Sequence, residues 1–253
     1  MTRLHRHLSK RVEKAVYDFG LIQPGDRIAV AVSGGSDSLA LLILLENEKI
    51  KQQNRIELIP LHVDMGFPED SPRNSEVLAE FLSQRGYSVH VERTNIGPLA
   101  HSDFNRKNPC FLCTRYRRQC IYQLAEQHCC NKIAYGHHKD DIIETLLINI
   151  FFGREISTMM PKQSVFRGKF HIIRPLIYIE EVLLKKFALE QHFPLLNNPC
   201  TTSEVSKRKY IKDWLNRLEN ENKGLKENIF KALFHVKVDY LPQRSFSSKG
   251  KKR

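Results

Sequence analysis

The chain has 253 residues, 41% of them hydrophobic, and 40 lysines and arginines against 28 acids give a formal net charge of +12. Its longest apolar runs, around Leu39–Leu45 and Ile142–Phe152, are too short or too interrupted to span a bilayer, and the basic start Met1–Arg6 lacks the apolar core of a secretory signal. The expectation is a cytoplasmic globular protein with no membrane contact, whose basic excess suits a polyanion such as a nucleic acid.

In chain order, residues 2–19 read as a basic amphipathic helix, with Leu8, Val12, Val16 and Phe19 at helical spacing, broken by Pro24-Gly25-Asp26. Ile28–Val32 is a continuous apolar, β-branched run of the kind found in a buried parallel strand. A helix over Leu39–Glu48, a strand over Ile56–Val63, a helix over Arg73–Arg85 and a strand over Tyr87–Val91 follow. Lys132–Gly136 is a fourth strand, Asp141–Phe152 a nearly all-apolar helix, and Phe170–Ile173 a fifth strand. Strands alternating with helices in this way predict an α/β fold, a doubly wound parallel sheet covered on both faces. Beyond about residue 175, helices over Glu180–Gln191, Ser203–Glu219 and Leu225–Val236 predict a helical C-terminal extension. The expected division is an N-terminal helix (1–20), an α/β domain (21–177), a helical region (178–242) and a disordered basic tail (243–253).

The sharpest local signal is Ser33-Gly34-Gly35-Ser36-Asp37-Ser38, between the first strand and its helix. Glycines let the backbone turn and approach a ligand, helix N-terminal amides face an anion, and the Ser33 and Ser38 hydroxyls add donors for phosphate. Asp37 would repel bare phosphate, so its presence implies Mg²⁺ between carboxylate and phosphates. The loop lacks the Gly-Lys-Ser/Thr of a Walker A motif. A plain Ser/Gly turn is the bland alternative.

Six cysteines in a cytoplasmic chain argue against a disulfide framework. Cys110 and Cys113 form a Cys-x-x-Cys just before an arginine-rich helix carrying Arg115, Arg117 and Arg118. Two thiolates at this spacing can hold one metal or two corners of a cluster. No second such pair exists, so a further ligand comes from afar, with Cys200 as the candidate. Three cysteines on a [4Fe–4S] cluster would leave one iron open; a thiol-redox pair is the other reading. Cys120, Cys129 and Cys130 read as small core residues, and Trp214 as core packing. Gly136-His137-His138-Lys139-Asp140-Asp141 leaves the fourth strand and opens a helix, where His137 and Asp141 are placed to meet a ligand. Helix capping by Asp140 is the structural alternative. Arg115, Arg117 and Arg118, with Lys207, Arg208 and Lys209, are candidates for nucleic-acid phosphates, a solvated basic helix face being the alternative.

Ser33–Ser38 resembles the PP-loop of the ATP pyrophosphatases, which cleave ATP between its α and β phosphates to adenylate a substrate oxygen. Taken with Pro24–Ile28, the Cys110/Cys113/arginine segment, Gly136–Asp141, Asn149-x-Phe151-x-Gly153, Pro161-Lys162, Ile173-Arg174-Pro175-Leu176 and Phe193-Pro194, the chain closely resembles the tRNA 2-thiocytidine synthetase (TtcA) family from about Arg6 to Pro242. The resemblance implies an adenine nucleotide alpha hydrolase-like fold with the 21–177 unit as ATP-binding domain, and a tRNA sulfurtransferase acting on an anticodon-loop cytidine (position 32) by adenylation and sulfide transfer. It implies ATP, Mg²⁺ and a [4Fe–4S] cluster as cofactors, tRNA as partner, and a sulfur donor such as a cysteine desulfurase; a homodimer is left open. It carries the cluster ligands to Cys110, Cys113 and Cys200 and the nucleotide loop to Ser33, Gly34, Gly35, Ser36, Asp37 and Ser38. His62 and Asp64 stand at the adenine pocket, Gly136 and His137 beside the nucleotide, and Asp141 matches an important carboxylate of related thiolases. Where the family commonly has a lysine in the loop, this chain has Ser36. Two other classes remain: a sulfur-free ligase of the lysidine-synthetase type, and a non-enzymatic RNA-binding protein with structural zinc.

Overall fold

The computed structural model describes residues 1–47, 50, 54–67, 71–102, 105, 109–194, 196 and 206–242. Cys200, the start of the helix expected from Ser203 and the tail 243–253 lie outside the described residues.

Helix α1 (Arg3–Phe19) starts where the Thr2 side chain accepts the His5 N–H at 3.1 Å, and ends at Gly20, whose φ of 54° closes the last turn. Leu8, Val12 and Ala15 form its buried stripe. Strand β1 (Arg27–Ala31) leads into α2 (Ser36–Leu45), then β2 (Glu57–Asp64), α3 (Ser71–Ser83), β3 (His90–Arg93) and a short α4 (Ile96–Ala100). Next come α5 (Pro109–Gln127), β4 (Lys132–Ala134), α6 (Lys139–Ile148), β5 (Lys162–Val165) and β6 (Phe170–Ile173), followed by α7 (Glu181–Glu190), α8 (Lys207–Glu221) and α9 (Leu225–Ala232).

The six strands lie in the order β3-β2-β1-β4-β6-β5. Every neighbouring pair is parallel except β5 with β6, which is antiparallel. The expected sheet had five strands and was wholly parallel; β5 departs from that pattern. Lys162-Gln163-Ser164 is a polar stretch at the sheet edge, and an edge strand with one partner carries no apolar run to announce it.

Other boundaries shift for local reasons. Helix α2 begins at Ser36, ahead of its apolar run, because the polar loop residues supply its first turn. Both Cys110 and Cys113 lie inside α5 rather than before it, since Pro109 fits a first helical turn that needs no amide donor there. Regular α-helix ends at Ile148, and Asn149–Gly153 form a wider π-turn closed by Arg154 at φ 60°.

Alternation sorts the strands between two cores. Ile28, Val30 and Val32 enter one with α1, α2 and α6, while Ala29, Ala31, Leu61 and Ile133 enter the other beneath α5. Leu184, Phe187, Ile211, Leu215 and Phe230 of the last three helices belong to the first core. The C-terminal helices are thereby held against the same sheet that carries the site.

At the opposite end of β1 from the phosphate loop lies a buried ion pair. Asp26 and Lys132, with side chains 3% exposed, approach to 2.5 Å, and Asp26 also accepts from Gln23 N at 2.6 Å and Asn131 Nδ2 at 2.8 Å. Replacing Asp26 by Ala strands a buried ammonium, and chemical denaturation should show a loss of about 3–5 kcal/mol. Adding Lys132→Met to that variant should restore part of it; an unchanged midpoint for Asp26→Ala would refute the role.

Candidate active site

The sheet reverses its winding between β1 and β4, and in open α/β sheets the crevice at the carboxyl ends of such strands is where ligands bind. Both sequence motifs leave those two strands. After Val32, Gly34 turns the chain at φ +87° and Gly35 caps α2. Ser33 N and Ser33 Oγ donate to Ser38 Oγ at 3.0 and 3.2 Å, Gly35 N donates to Ser33 Oγ at 3.3 Å, and Ser38 Oγ donates to the Gly35 carbonyl at 2.9 Å. The two serines therefore brace the loop from inside. The amides of Gly34, Ser36 and Asp37 meet no acceptor among the described residues and are the donors an anion can use.

The second motif folds onto the first. A Cβ on Gly136 would sit 3.0 Å from the Asp37 carbonyl carbon and oxygen and from Ser38 N, so the loops touch backbone to backbone. His138 is buried between carboxylates: its Nε2 is 3.4 Å from Asp141 Oδ2 and 3.8 Å from Asp37 Oδ2, and its Nδ1 is 3.8 Å from Asp140 Oδ2. Asp141 Oδ2 accepts the His138 N–H at 3.0 Å, closing the turn that starts α6. Its other oxygen receives Arg208 Nη1 at 2.6 Å, and the same guanidinium donates to Thr145 Oγ1 at 3.3 Å.

Burial raises the Asp37 pKa, with His138 opposing and Asp141 adding to the shift. Glu144, one turn along α6, has a carboxyl 5% exposed and is raised by burial to about 7, the nearby Arg208 only partly opposing. His137 is lowered to about 3 by burial and then by the Arg174 charge, so its ring is neutral near pH 7. Asp140 faces away, accepting from Lys226 Nζ and Glu181 N at 2.8 Å each. Burial opposes its ionisation, but those bonds outweigh it and hold the pKa low. It fastens α7 and α9 rather than capping its own helix.

Of the two residues expected at the adenine pocket, His62 Nδ1 lies 2.8 Å from the Val32 carbonyl and Nε2 3.1 Å from Ser75 Oγ. Ser75 Oγ donates to Asp64 Oδ2 at 2.8 Å, and Gly66 N donates to Asp64 Oδ1 at 2.9 Å. These bonds fix the end of β2 from within, beside the loop.

A crossover helix runs back antiparallel to the strands it joins, so the N-terminus of α5 returns to the strands' carboxyl edge. Cys110, exposed, and Cys113, half-buried, stand there one helical turn apart. Two thiols so spaced fit two corners of an iron–sulfur cluster; among the described residues no group of three metal-binding side chains forms, the third expected ligand, Cys200, being outside them. Asp37 and Asp141, both turned to one histidine nitrogen, supply the hard oxygen donors that suit Mg²⁺. Cys130 is buried as expected and Cys120 half-buried, but Cys129 is exposed, because it sits at φ 54° in the turn beyond α5.

The basic candidates divide. Arg115 and Arg118 are exposed, whereas Arg117 is half-buried beside Tyr135 and Cys113. Lys207 lies 4.7 Å from the Phe152 ring centre, Arg208 reaches Asp141, and Lys209 pairs with Asp213 at 2.6 Å. His138, Glu144, Tyr135 and Arg174 were not singled out as site residues, although His138 and Arg174 lie in the motifs quoted above. Trp214 is half-buried, packed on Phe151 with ring centres 5.5 Å apart.

A Gly/Ser loop after the first strand, answered across the switch point by a His/Asp turn, defines a PP-loop ATP-binding domain, and the sequence matches the PP-loop domain family over residues 4–219. Among curated proteins it is 39% identical over 248 residues to a tRNA-cytidine(32) 2-sulfurtransferase of Geobacter metallireducens, covering 95% of this chain and 93% of that one. A protein of the same name from Geobacter sulfurreducens is 38% identical, with 94% and 92% covered. The chain belongs to the tRNA-cytidine(32) 2-sulfurtransferase family, PP-loop enzymes that use ATP. Among solved structures, the U34-tRNA thiolase of Methanococcus maripaludis with its [4Fe-4S] cluster shares the fold at TM-score 0.75 and 21% identity, with 94% of this chain and 80% of that one covered. The NH3-dependent NAD synthetase of Campylobacter jejuni shares it more distantly, at TM-score 0.51 and 12% identity, over 96% and 99% of the chains.

Glu144 sets a pH dependence. Its folded pKa of about 7 exceeds the ordinary 4.5, so the folded state binds more protons between those values and stability falls as pH rises through them. The wild type should lose up to about 3 kcal/mol between pH 4.5 and 7 from this group, and Glu144→Gln should remove that slope. Equal slopes in the two proteins would refute the assignment.

Proposed function

We propose that the protein is an ATP-dependent tRNA thiolase that converts a cytidine of the anticodon loop, at position 32, to 2-thiocytidine in the cytoplasm. The observation that carries this reading is the joint placement, at one sheet edge, of an anion-ready loop and a cysteine pair, in a chain whose relatives bear the name tRNA-cytidine(32) 2-sulfurtransferase. The amides of Gly34, Ser36 and Asp37 face the phosphates of ATP, and Asp37 and Asp141 would hold Mg²⁺, which would neutralise the phosphate charge. The cytosine O2 attacks the α-phosphorus; the new O–P bond forms as the bond to the β-phosphate oxygen breaks, and pyrophosphate leaves. The carbonyl oxygen, a poor leaving group in water, then departs with AMP when sulfide attacks C2. Cys110, Cys113 and Cys200 would hold a [4Fe–4S] cluster, which would carry sulfide to the activated base; a donor such as a cysteine desulfurase, with a two-electron reductant such as a thiol, would replenish it. Positioning is the protein's main contribution, with Gly136 and His138 fixing both carboxylates against the loop.

The test is anaerobic reconstitution with iron and sulfide, followed by mass spectrometry of tRNA nucleosides. Cys110→Ala should lower 2-thiocytidine by about 100-fold or more while tRNA-dependent ATP–pyrophosphate exchange continues, and Asp37→Asn should lower both. Full 2-thiocytidine formation by Cys110→Ala would refute sulfur transfer through this site and favour a ligase using another nucleophile.

A further inference from the structure

Four polar atoms buried near this edge make no hydrogen bond among the described residues: His138 Nδ1, which faces Asp140 at 3.8 Å, and Tyr135 Oη, His137 Nδ1 and Arg174 Nε, which face no carboxylate at that range. Strand alternation brings them together. Ile133 enters the core beneath α5, and Tyr135 follows it on the same face; Phe170 of β6 enters that core, and strand alternation carries Arg174, four residues on, to the same side. Tyr135 N donates to the Ile173 carbonyl at 3.0 Å, which ties the two strand ends, and the Tyr135 and His137 rings are 5.6 Å apart. Arg174 is 4% exposed and its Nη1 donates to the Met160 carbonyl, which fixes the plane of the guanidinium. On the helix side Arg117 and Arg118 face Tyr135.

A buried donor or acceptor without a partner costs about 1–3 kcal/mol. The last three, half of the six such atoms among the described residues, mark a position where a ligand can supply the missing partners. We propose that the target nucleobase docks at this position and that Arg174 selects cytosine over uracil, an inference that rests on the thiolation reading.

Cytosine presents an acceptor at N3 and an amino donor at N4, whereas uracil presents a donor at N3 and an acceptor at O4. A guanidinium only donates. The Arg174 Nε–H therefore meets the cytosine N3 lone pair and opposes the uracil N3–H. The His137 ring, neutral through burial and the Arg174 charge, offers a lone pair to the N4 amino group. The Tyr135 hydroxyl donates or accepts equally well, so it binds without discriminating. These contacts leave the C2–O2 side of the ring, where the proposed chemistry occurs, unengaged. An enzyme acting on such an atom takes the base out of its stack, and a pocket that reads the opposite edge is what holds it there.

The experiment uses two anticodon stem–loop hairpins that differ only in cytidine or uridine at the target position, with the full chain prepared anaerobically. Binding is read by fluorescence anisotropy and product by mass spectrometry. The wild type should prefer the cytidine hairpin by about tenfold or more, and Arg174→Gln, whose amide accepts as readily as it donates, should lose most of that preference by weaker cytidine binding. Tyr135→Phe should weaken both hairpins alike by about threefold. Arg174→Gln weakening both hairpins equally would make Arg174 a phosphate contact and overturn the proposal, as would an unchanged preference or none in the wild type. Thermal melting reports whether Arg174→Gln folds; Arg174→Lys, which keeps the charge but not the planar fork, gives the same reading if it does not. A wild type that prefers cytidine yet forms no 2-thiocytidine sinks the thiolation reading and leaves the pocket standing. Thiolation with undiminished discrimination by the Arg174 variants sinks the pocket alone.

Discussion

The active-site edge depends on one close approach between two stretches of backbone. Gly136 lies so near Asp37 and Ser38 that even a methyl group would be 3.0 Å from three main-chain atoms. The strands feeding these loops, β1 and β4, are neighbours in register, but their connections leave toward opposite ends of the sheet. Loops diverging from a switch point open a crevice, and a side chain at 136 would widen it. With glycine there, α2 and α6 start close enough that Asp37 and Asp141 meet the same His138 nitrogen. The carboxylate pair is thus a product of backbone packing, before any side chain chooses a rotamer.

The cysteines reach that edge by a different constraint. Helix α5 covers the face into which Ala29, Ala31 and Ile133 point, while α2 covers the other. Crossover geometry returns the start of α5 to the carboxyl ends of the strands, so Cys110 and Cys113 reach the same sheet edge as the Ser33–Ser38 loop although more than seventy residues separate them from it in sequence. The same face carries Ile133, Tyr135 and Phe170, and the alternation of β6 carries Arg174, just past its end, to that side.

What was legible in the sequence was contiguous. The Ser33–Ser38 loop and the Gly136–Asp141 turn each announce themselves within six residues, at a strand end that hydrophobic runs make visible. Contacts between distant segments were not. Lys207-Arg208-Lys209 reads as one basic patch, yet consecutive helical residues point about 100° apart. Lys207 turns to Phe152, Arg208 to Asp141 and Lys209 to Asp213. Arg174 was visible only as part of a motif, since nothing in a linear string shows that its guanidinium is buried against Tyr135. Strand β5, polar and at the edge, gave no periodic signal, and the turn at Cys129 hid an exposed thiol behind a buried neighbour.

The two carboxylates at the centre of the site differ in what they can give a cation. Asp141 is already engaged on both oxygens, by Arg208 and by the His138 amide. Asp37 is 35% exposed, His138 Nε2 lies 3.8 Å from it, and burial together with Asp141 disfavours its ionised form. A carboxylate in that position gains more from an arriving cation than one already paired. For the proposed nucleotide, a cation would engage Asp37 more readily than Asp141, and the polyphosphate would compete with Asp141 for Arg208, whose side chain is 43% exposed. The position that commonly holds a lysine in the loop is Ser36 here, and the positive charge that reaches the carboxylate pair is that of Arg208, brought from α8 onto Asp141.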